Sequence, residues 1–313
     1  MPTRREFVQR GAAVAAMGAV AGTAACATGS ASGAGASRVS DASAAASERS
    51  ATHPANAASA IKQSVCKWCF NDLTVDQLAA DAKRIGLQSV ELIDPPDFAT
   101  VQKHGLICAM TNAPGDPRTR IPKGFNRVEN HSWLVPLYHD YIAKVAEAKF
   151  PNLICFSGNR AGLGDDEGIE NCAKGLREII PAAEKAGVTI CMELLNSKVN
   201  HPDYQCDHTA WGVKLVEKVG SERFKLLYDI YHMQIMEGDV IHTIRDHHRH
   251  IAHYHTAGVP GRHEIDESQE LFYPAVMRAI RDTGFTGYVA QEFVPASKNG
   301  IGSLEDAYRR CAV

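Results

Sequence analysis

Two glutamates, an aspartate and a histidine stand at or near the ends of four strand-like apolar runs. Glu193 lies in VTICMELLN, Asp229 in FKLLYDIYHMQ, His255 in HIAHYHTAG and Glu292 in GYVAQEF. Three carboxylates and one imidazole suit a divalent cation such as Mn²⁺, Mg²⁺ or Co²⁺ better than a structural zinc, which favours Cys and His. Such a cation would polarise a carbonyl and a neighbouring hydroxyl and make the adjacent C–H acidic. One glutamate could then take that proton to give an enediolate, and the other could return it. Return to the neighbouring carbon is isomerisation. Return to the same carbon from the opposite face is epimerisation.

The four residues are separated by 36, 26 and 37 positions. These steps approximate one strand-plus-helix repeat, and eight such repeats make a (β/α)₈ barrel of roughly 250 residues. The chain carries the matching alternation. Strand-like runs fall at 64–70, 89–93, 105–111, 152–157, 188–194, 225–230, 250–256 and 288–293. Helical periodicity falls at 74–85, 139–149, 167–186, 209–219, 240–247 and 273–283. Gly86, Gly187, Gly220 and Gly284 punctuate the steps from helix to strand. The fold class expected is α/β, a single (β/α)₈ TIM barrel. Strand parity sharpens the site. In 188–194, Val188, Ile190, Met192 and Leu194 share one face, and Thr189, Cys191 and Glu193 share the other. The same rule aligns His253 with His255 and Ala290 with Glu292, so each candidate ligand points into the barrel near the carboxyl end of its strand. Glu91, ending the second run, is a weaker candidate to face substrate there.

Residues 1–60 read differently. Thr3-Arg4-Arg5-Glu6-Phe7 followed by a small apolar run to Ala25 has the form of a twin-arginine export signal, expected over 1–26. Cys26 sits in a sequence similar to a lipobox, with ordinary signal cleavage as the other fate, so the expected location is periplasmic with a lipid anchor at Cys26 left open. Residues 27–60 are almost entirely Ala, Ser, Gly and Thr and cannot offset their ordering entropy by burial, so a disordered tether is expected. Residues 61–313 are then the barrel. The whole chain carries −3, and because residues 1–26 hold three Arg and one Glu, the remainder carries −5. That charge disfavours nucleic acid as a partner. Cys66-Lys67-Trp68-Cys69 is a lone CxxC, weak as a zinc or redox motif. His247, His248 and His250 cross a helix–strand boundary and read as solvated residues.

Residues 61–313 resemble the xylose isomerase-like TIM-barrel superfamily, and within it the hydroxypyruvate isomerase family. The segments that carry the resemblance are Gly124-Phe125-Asn126-Arg127-Val128-Glu129-Asn130-His131, Tyr228-Asp229-Ile230-Tyr231-His232-Met233-Gln234 and Val259-Pro260-Gly261-Arg262-His263-Glu264. The resemblance implies metal binding by Glu193, Asp229, His255 and Glu292, with Glu193 and Glu292 as the catalytic acid/base pair. It also implies that His232 and Arg262 hold substrate oxygens. The chain departs from the pattern at two places. Hydroxypyruvate isomerases typically carry Gln where His255 stands and Asp where Gly258 stands, whereas a His ligand is the pattern of ketose 3-epimerases. The expected activity is therefore an aldose–ketose type isomerase acting on a small hydroxy-carbonyl or sugar. A ketose or 3-keto-sugar epimerase is the alternative, and a non-catalytic tethered sugar-binding barrel is the alternative of another class. A metal-dependent phosphodiesterase on the same barrel would need further His and Asp ligands and a basic surface. Self-association into a homo-oligomer is left open.

Overall fold

The computed structural model describes residues 61–116 and 120–313. The expected signal at 1–26, Cys26 and the tether at 27–60 lie outside them. Seven parallel strands form one sheet: β1 (Lys62–Cys66), β2 (Ser89–Glu91), β3 (Asn152–Cys155), β4 (Thr189–Glu193), β5 (Phe224–Asp229), β6 (Ile251–Thr256) and β7 (Tyr288–Gln291). Their order is β2-β1-β7-β6-β5-β4-β3. Residues around 105–111, expected as a strand, instead join the two ends of that order by single bridges. Ser89 pairs with Ile107, and Thr111 pairs with Leu153, both in parallel. The ring is thus closed by an irregular eighth stave, and the fold is the (β/α)₈ barrel. The ladder is broken there partly because side chains take over: Ser89 Oγ accepts the Ala109 amide at 2.8 Å, and the Asn152 amide group donates to Ala109 O at 2.8 Å.

The helices form where apolar spacing and capping agree. Helix α1 (Val75–Ile85) starts at a capping box between Thr74 and Gln77 and ends at Gly86, whose φ of 109° a side chain would rarely adopt. The others are α2 (Phe98–Lys103), α3 (Val128–Glu147), α4 (Asp165–Ala186), α5 (Thr209–Val219), α6 (Ile230–Met236), α7 (Val240–His247), α8 (Tyr273–Asp282) and α9 (Gly300–Arg310). Helix α3 begins eleven residues before the expected start at 139 and runs through Pro136. Proline removes one backbone hydrogen bond, but Leu134, Tyr138, Ile142 and Val145 keep one buried stripe on both sides of it. Helices α2, α6 and α9 were not anticipated. Helix α9 closes the ring beside β1, where Gln63 Nε2 donates to Tyr308 O at 3.0 Å. Among the described residues no helix is long and apolar enough to cross a membrane.

Gly124 shows how tightly the upper rim is drawn. The Phe125 and Asn126 amides donate to Phe156 O and Ser157 O at 3.2 and 2.8 Å. A Cβ on Gly124 would lie 2.2 Å from Phe156 O and 2.3 Å from Ser157 C. Both are backbone atoms, so the rim must shift to admit a methyl group. Gly124→Ala is expected to destabilise the barrel by ~1–3 kcal/mol. Thermal unfolding should show this as a melting temperature lower by about 2–4 °C per kcal/mol.

Candidate metal centre and active site

The ladder registers bring the four candidate ligands to one level. Asp229 pairs directly with His255 across β5 and β6. Glu193 pairs with Leu227 across β4 and β5. Glu292 follows Gln291, which pairs with Thr256, and its amide donates to Thr256 O at 2.8 Å. All four are buried, and one ligand atom from each lies within 4.8 Å of every other. His255 Nδ1 is 2.5 Å from Glu292 Oε2 and 3.5 Å from Glu193 Oε1. It nevertheless makes no hydrogen bond of acceptable direction. Once it has lost its proton, a buried nitrogen among carboxylates with no well-directed hydrogen bond is open to a metal, so this donor set fits a hard or borderline divalent ion.

Arg262 forms the second part of the site. Its Nη2 donates to Asp229 Oδ2 at 2.9 Å and to Glu292 Oε2 at 2.5 Å, and its Nε to the Glu292 carbonyl at 3.2 Å. The guanidinium lies near the rings of Tyr231 and Trp68, at 4.8 and 5.5 Å from their centroids. Trp68 also donates from Nε1 to Glu292 Oε1 at 2.7 Å. The backbone that presents Arg262 is left-handed, with φ of 61°. Glu264 does not pair with Arg262. Its carboxylate instead accepts from the Ala296 and Ser297 amides and the Ser303 hydroxyl, tying the Arg262 loop to the approach to α9. Gly258, where the resemblance would have Asp, leaves no room for any side chain: a Cβ there would lie 2.2 Å from Glu264 O.

Asp229 caps α6, accepting the His232 amide at 3.2 Å, and this short helix turns His232 back over the mouth. His232 Nδ1 accepts the Asn196 amide at 3.0 Å. A neutral ring with Nδ1 as acceptor carries its hydrogen on Nε2. Arg262 Nη1 lies 2.8 Å from that same Nε2. The guanidinium and the imidazole are thus held in direct contact at the rim of the mouth.

Burial and charge drive the carboxylates apart. Burial pushes Glu193 up to about 7, with Glu292 adding to the rise and His255 opposing it. Burial acts upward on Glu292 too, but His255 and Arg262 outweigh it and hold that carboxyl well below its usual range. Burial raises Asp229 despite Arg262. His232 is pushed well down, by burial first and then by Arg262. Without a cation, Glu193 thus holds its proton more tightly than Glu292.

The sequence-derived residues Glu193, Asp229, His232, His255, Arg262 and Glu292 all meet at this mouth. Glu91 does not face it. It lies one layer below, where His253 and His255 hold its carboxyl low against the upward effect of burial. Trp68, Asn196 and Tyr231 were not anticipated. The position of Trp68 just after β1 is the signal that could have marked it. Cys66 and Cys69 are buried free thiols, both raised chiefly by burial. His248 bonds Arg245 O at 2.8 Å and His250 approaches Glu217, as expected of residues outside a metal tract. Among the described residues the metal-capable groups are the set at the mouth and Cys66, Glu91 and His255 below it.

Fold and site together define a (β/α)₈ barrel with an acidic, histidine-bearing mouth. The chain belongs to the xylose isomerase-like TIM barrel family, whose profile matches residues 79–309. It is similar to a 2-oxo-tetronate isomerase of Cupriavidus necator, 34% identical over 121 residues, 39% of this chain and 46% of that protein. The chain thus spans about half the length of that relative. A 2-oxo-tetronate isomerase of Haemophilus influenzae is 26% identical across 74% of this chain and 93% of its own. Among solved structures, an AP endonuclease, family 2, from Brucella melitensis superposes with a TM-score of 0.67 at 26% identity, over 78% of this chain and 97% of its own.

Proposed function

We propose that this protein is a metal-dependent isomerase of small α-hydroxy-carbonyl compounds, with hydroxy-keto acids of the hydroxypyruvate and 2-oxo-tetronate type as its first substrate class. The observation that carries the reading is the meeting of Glu193, Asp229, His255 and Glu292 in one buried cluster at the mouth, with one ligand atom from each within 4.8 Å of every other. Bound by Glu193, Asp229, His255 and Glu292, a divalent ion would polarise the substrate's carbonyl and hydroxyl oxygens. With the ion bound both glutamates would be ionised. One takes the C–H proton to leave an enediolate and the pair returns it to the neighbouring carbon, while the substrate's hydroxyl proton passes to the former carbonyl oxygen. His232 and Arg262, side by side at the rim, would orient the oxygens of the substrate, and the charge of Arg262 suits a carboxylate. The names of the two relatives support this class. Export by the twin-arginine route, with or without a lipid at Cys26, belongs to the same proposal and rests on residues 1–26 alone.

The second reading is a ketose or 3-keto-sugar epimerase, and the observation favouring it is His255 among the ligands. Both reactions share the proton transfer and differ in where the proton lands. An endonuclease role is disfavoured because the two metal-capable groups among the described residues share His255, and the charge of the chain beyond residue 26 is −5. The protein with Mn²⁺ in deuterated water is expected to place solvent deuterium into hydroxypyruvate, 2-oxo-tetronate or a ketose. A moved carbonyl identifies the isomerase, and an inverted centre the epimerase. Binding without deuterium incorporation across that panel would leave the sugar-binding barrel as the better account.

A further inference from the structure

Directly beneath the mouth lies a buried polar layer that the proton transfer does not use. Glu91 ends β2 with no exposed surface. Its Oε1 lies 2.8 Å from His253 Nε2 and 2.9 Å from His255 Nε2. Residues 253 and 255 share one face of β6, so both rings reach the same oxygen, with centroids 5.2 Å apart and planes at 86°. A carboxylate oxygen only accepts, so each Nε2 bears a hydrogen. A neutral imidazole with hydrogen on Nε2 has its lone pair on Nδ1. In His255, Nδ1 is the atom turned toward Glu193 and Glu292.

We propose that Glu91 is a positioning residue: it fixes the ring plane of His255 and keeps the hydrogen on Nε2, so that Nδ1 is offered to the divalent cation. This rests on the reading that the cation binds at the mouth. The geometry also argues against a second cation between Cys66, Glu91 and His255. Such an ion would need the Nε2 lone pair, and Nε2 is the atom engaged by Glu91. Cys66 Sγ stands farther off, 3.8 Å from Glu91 and 3.9 Å from His255, and closes the layer. His253 shares the carboxylate but has no atom among the four mouth ligands, which makes it the internal control.

Histidine-labelled protein loaded with Mg²⁺ provides the direct test by ¹⁵N NMR. The expected result is a downfield, slowly exchanging Nε2–H on His255 and a proton-free Nδ1. Glu91→Gln can keep an oxygen opposite both rings but removes the carboxylate charge that makes it a strong acceptor of the His255 Nε2 proton. It should move that proton upfield and weaken Mn²⁺ binding by about 10–100-fold in competition with a chromophoric chelator. His253→Asn should leave both readouts near wild type. Equal losses in the two variants would assign the layer to packing and overturn the proposal, as would unchanged binding in Glu91→Gln. A wild-type spectrum with Nε2 proton-free overturns it even if Glu91→Gln does not fold. Absence of Mn²⁺ binding by the wild type would instead remove the metal reading itself, and this inference with it.

Discussion

Glu193→Gln is expected to lower the rate of solvent deuterium incorporation by about 10²–10⁴-fold, the range for loss of a positioned acid or base. The amide keeps the shape of the side chain and one oxygen for the cation but cannot carry the proton. The assay therefore belongs at saturating Mn²⁺, where weaker metal binding no longer limits the rate. A group that acts in the transition state should lower kcat and kcat/KM together, whereas a group that only holds the ground state raises KM. Retained substrate affinity with a loss smaller than about tenfold, one pKa unit's worth of free energy, would show that Glu193 does not move the proton. The same variant separates enzyme from binding protein, because a binding barrel has no rate to lose.

The second large effect is on metal affinity as a function of pH. Burial first, and then Glu292, raise Glu193 from 4.5 to about 7. Between those values the folded protein holds a proton that the unfolded chain has released. The sign is therefore negative: without metal, stability falls as pH rises from about 4.5 to about 7 and levels above, as far as Glu193 is concerned. A cation needs the carboxylate, so its binding expels this proton and its affinity must climb over the same window. The rise due to Glu193 is about tenfold per pH unit, or about 100-fold between pH 5 and 7. Burial pushes His255 down, but Glu292 outweighs it and holds the imidazole above its ordinary range. Its proton must leave too, so the wild type should continue to gain affinity above pH 7. Mn²⁺ titrations of wild type and Glu193→Gln at constant ionic strength isolate the glutamate, since their difference should level near pH 7. A pH-independent difference between 5 and 7 would contradict the assignment.

The ligands were legible because chemistry on parallel strands repeats with the βα period and because side chains alternate along a strand. Spacing found Glu193, Asp229, His255 and Glu292, and parity correctly turned His253 and His255 inward. Glu91 stood out as the end of a strand-like run, but that position could not assign depth. The partner of Glu91 is 162 residues away on β6, and only the stagger of the closed ring decides that they meet below the mouth. The stave at 105–111 read as a strand because its composition is that of one; side-chain bonds from Ser89 and Asn152 replace part of its ladder. The early start of α3 was hidden by Pro136, whose local preference is overridden by the stripe it interrupts. Trp68 and Tyr231 escaped notice because an aromatic ring beside a guanidinium has no sequence period at all.

The four ligand positions lie on or just beyond four consecutive strands, β4 to β7, and this has a bearing on how such a protein can change. One arc of the ring carries the residues that would hold the cation. The opposite arc, from β1 through the irregular stave to β3, touches the mouth ligands mainly through Trp68, Cys66 and Glu91. Among the described residues its upper loops otherwise supply none of the four ligands. Substitutions there can redraw what the mouth admits while the cation and the proton pair stay in place. On the proposed reaction, choice of substrate and type of chemistry would thus be held by different sectors of one ring, and a lineage built this way could acquire new substrates without reinventing its reaction.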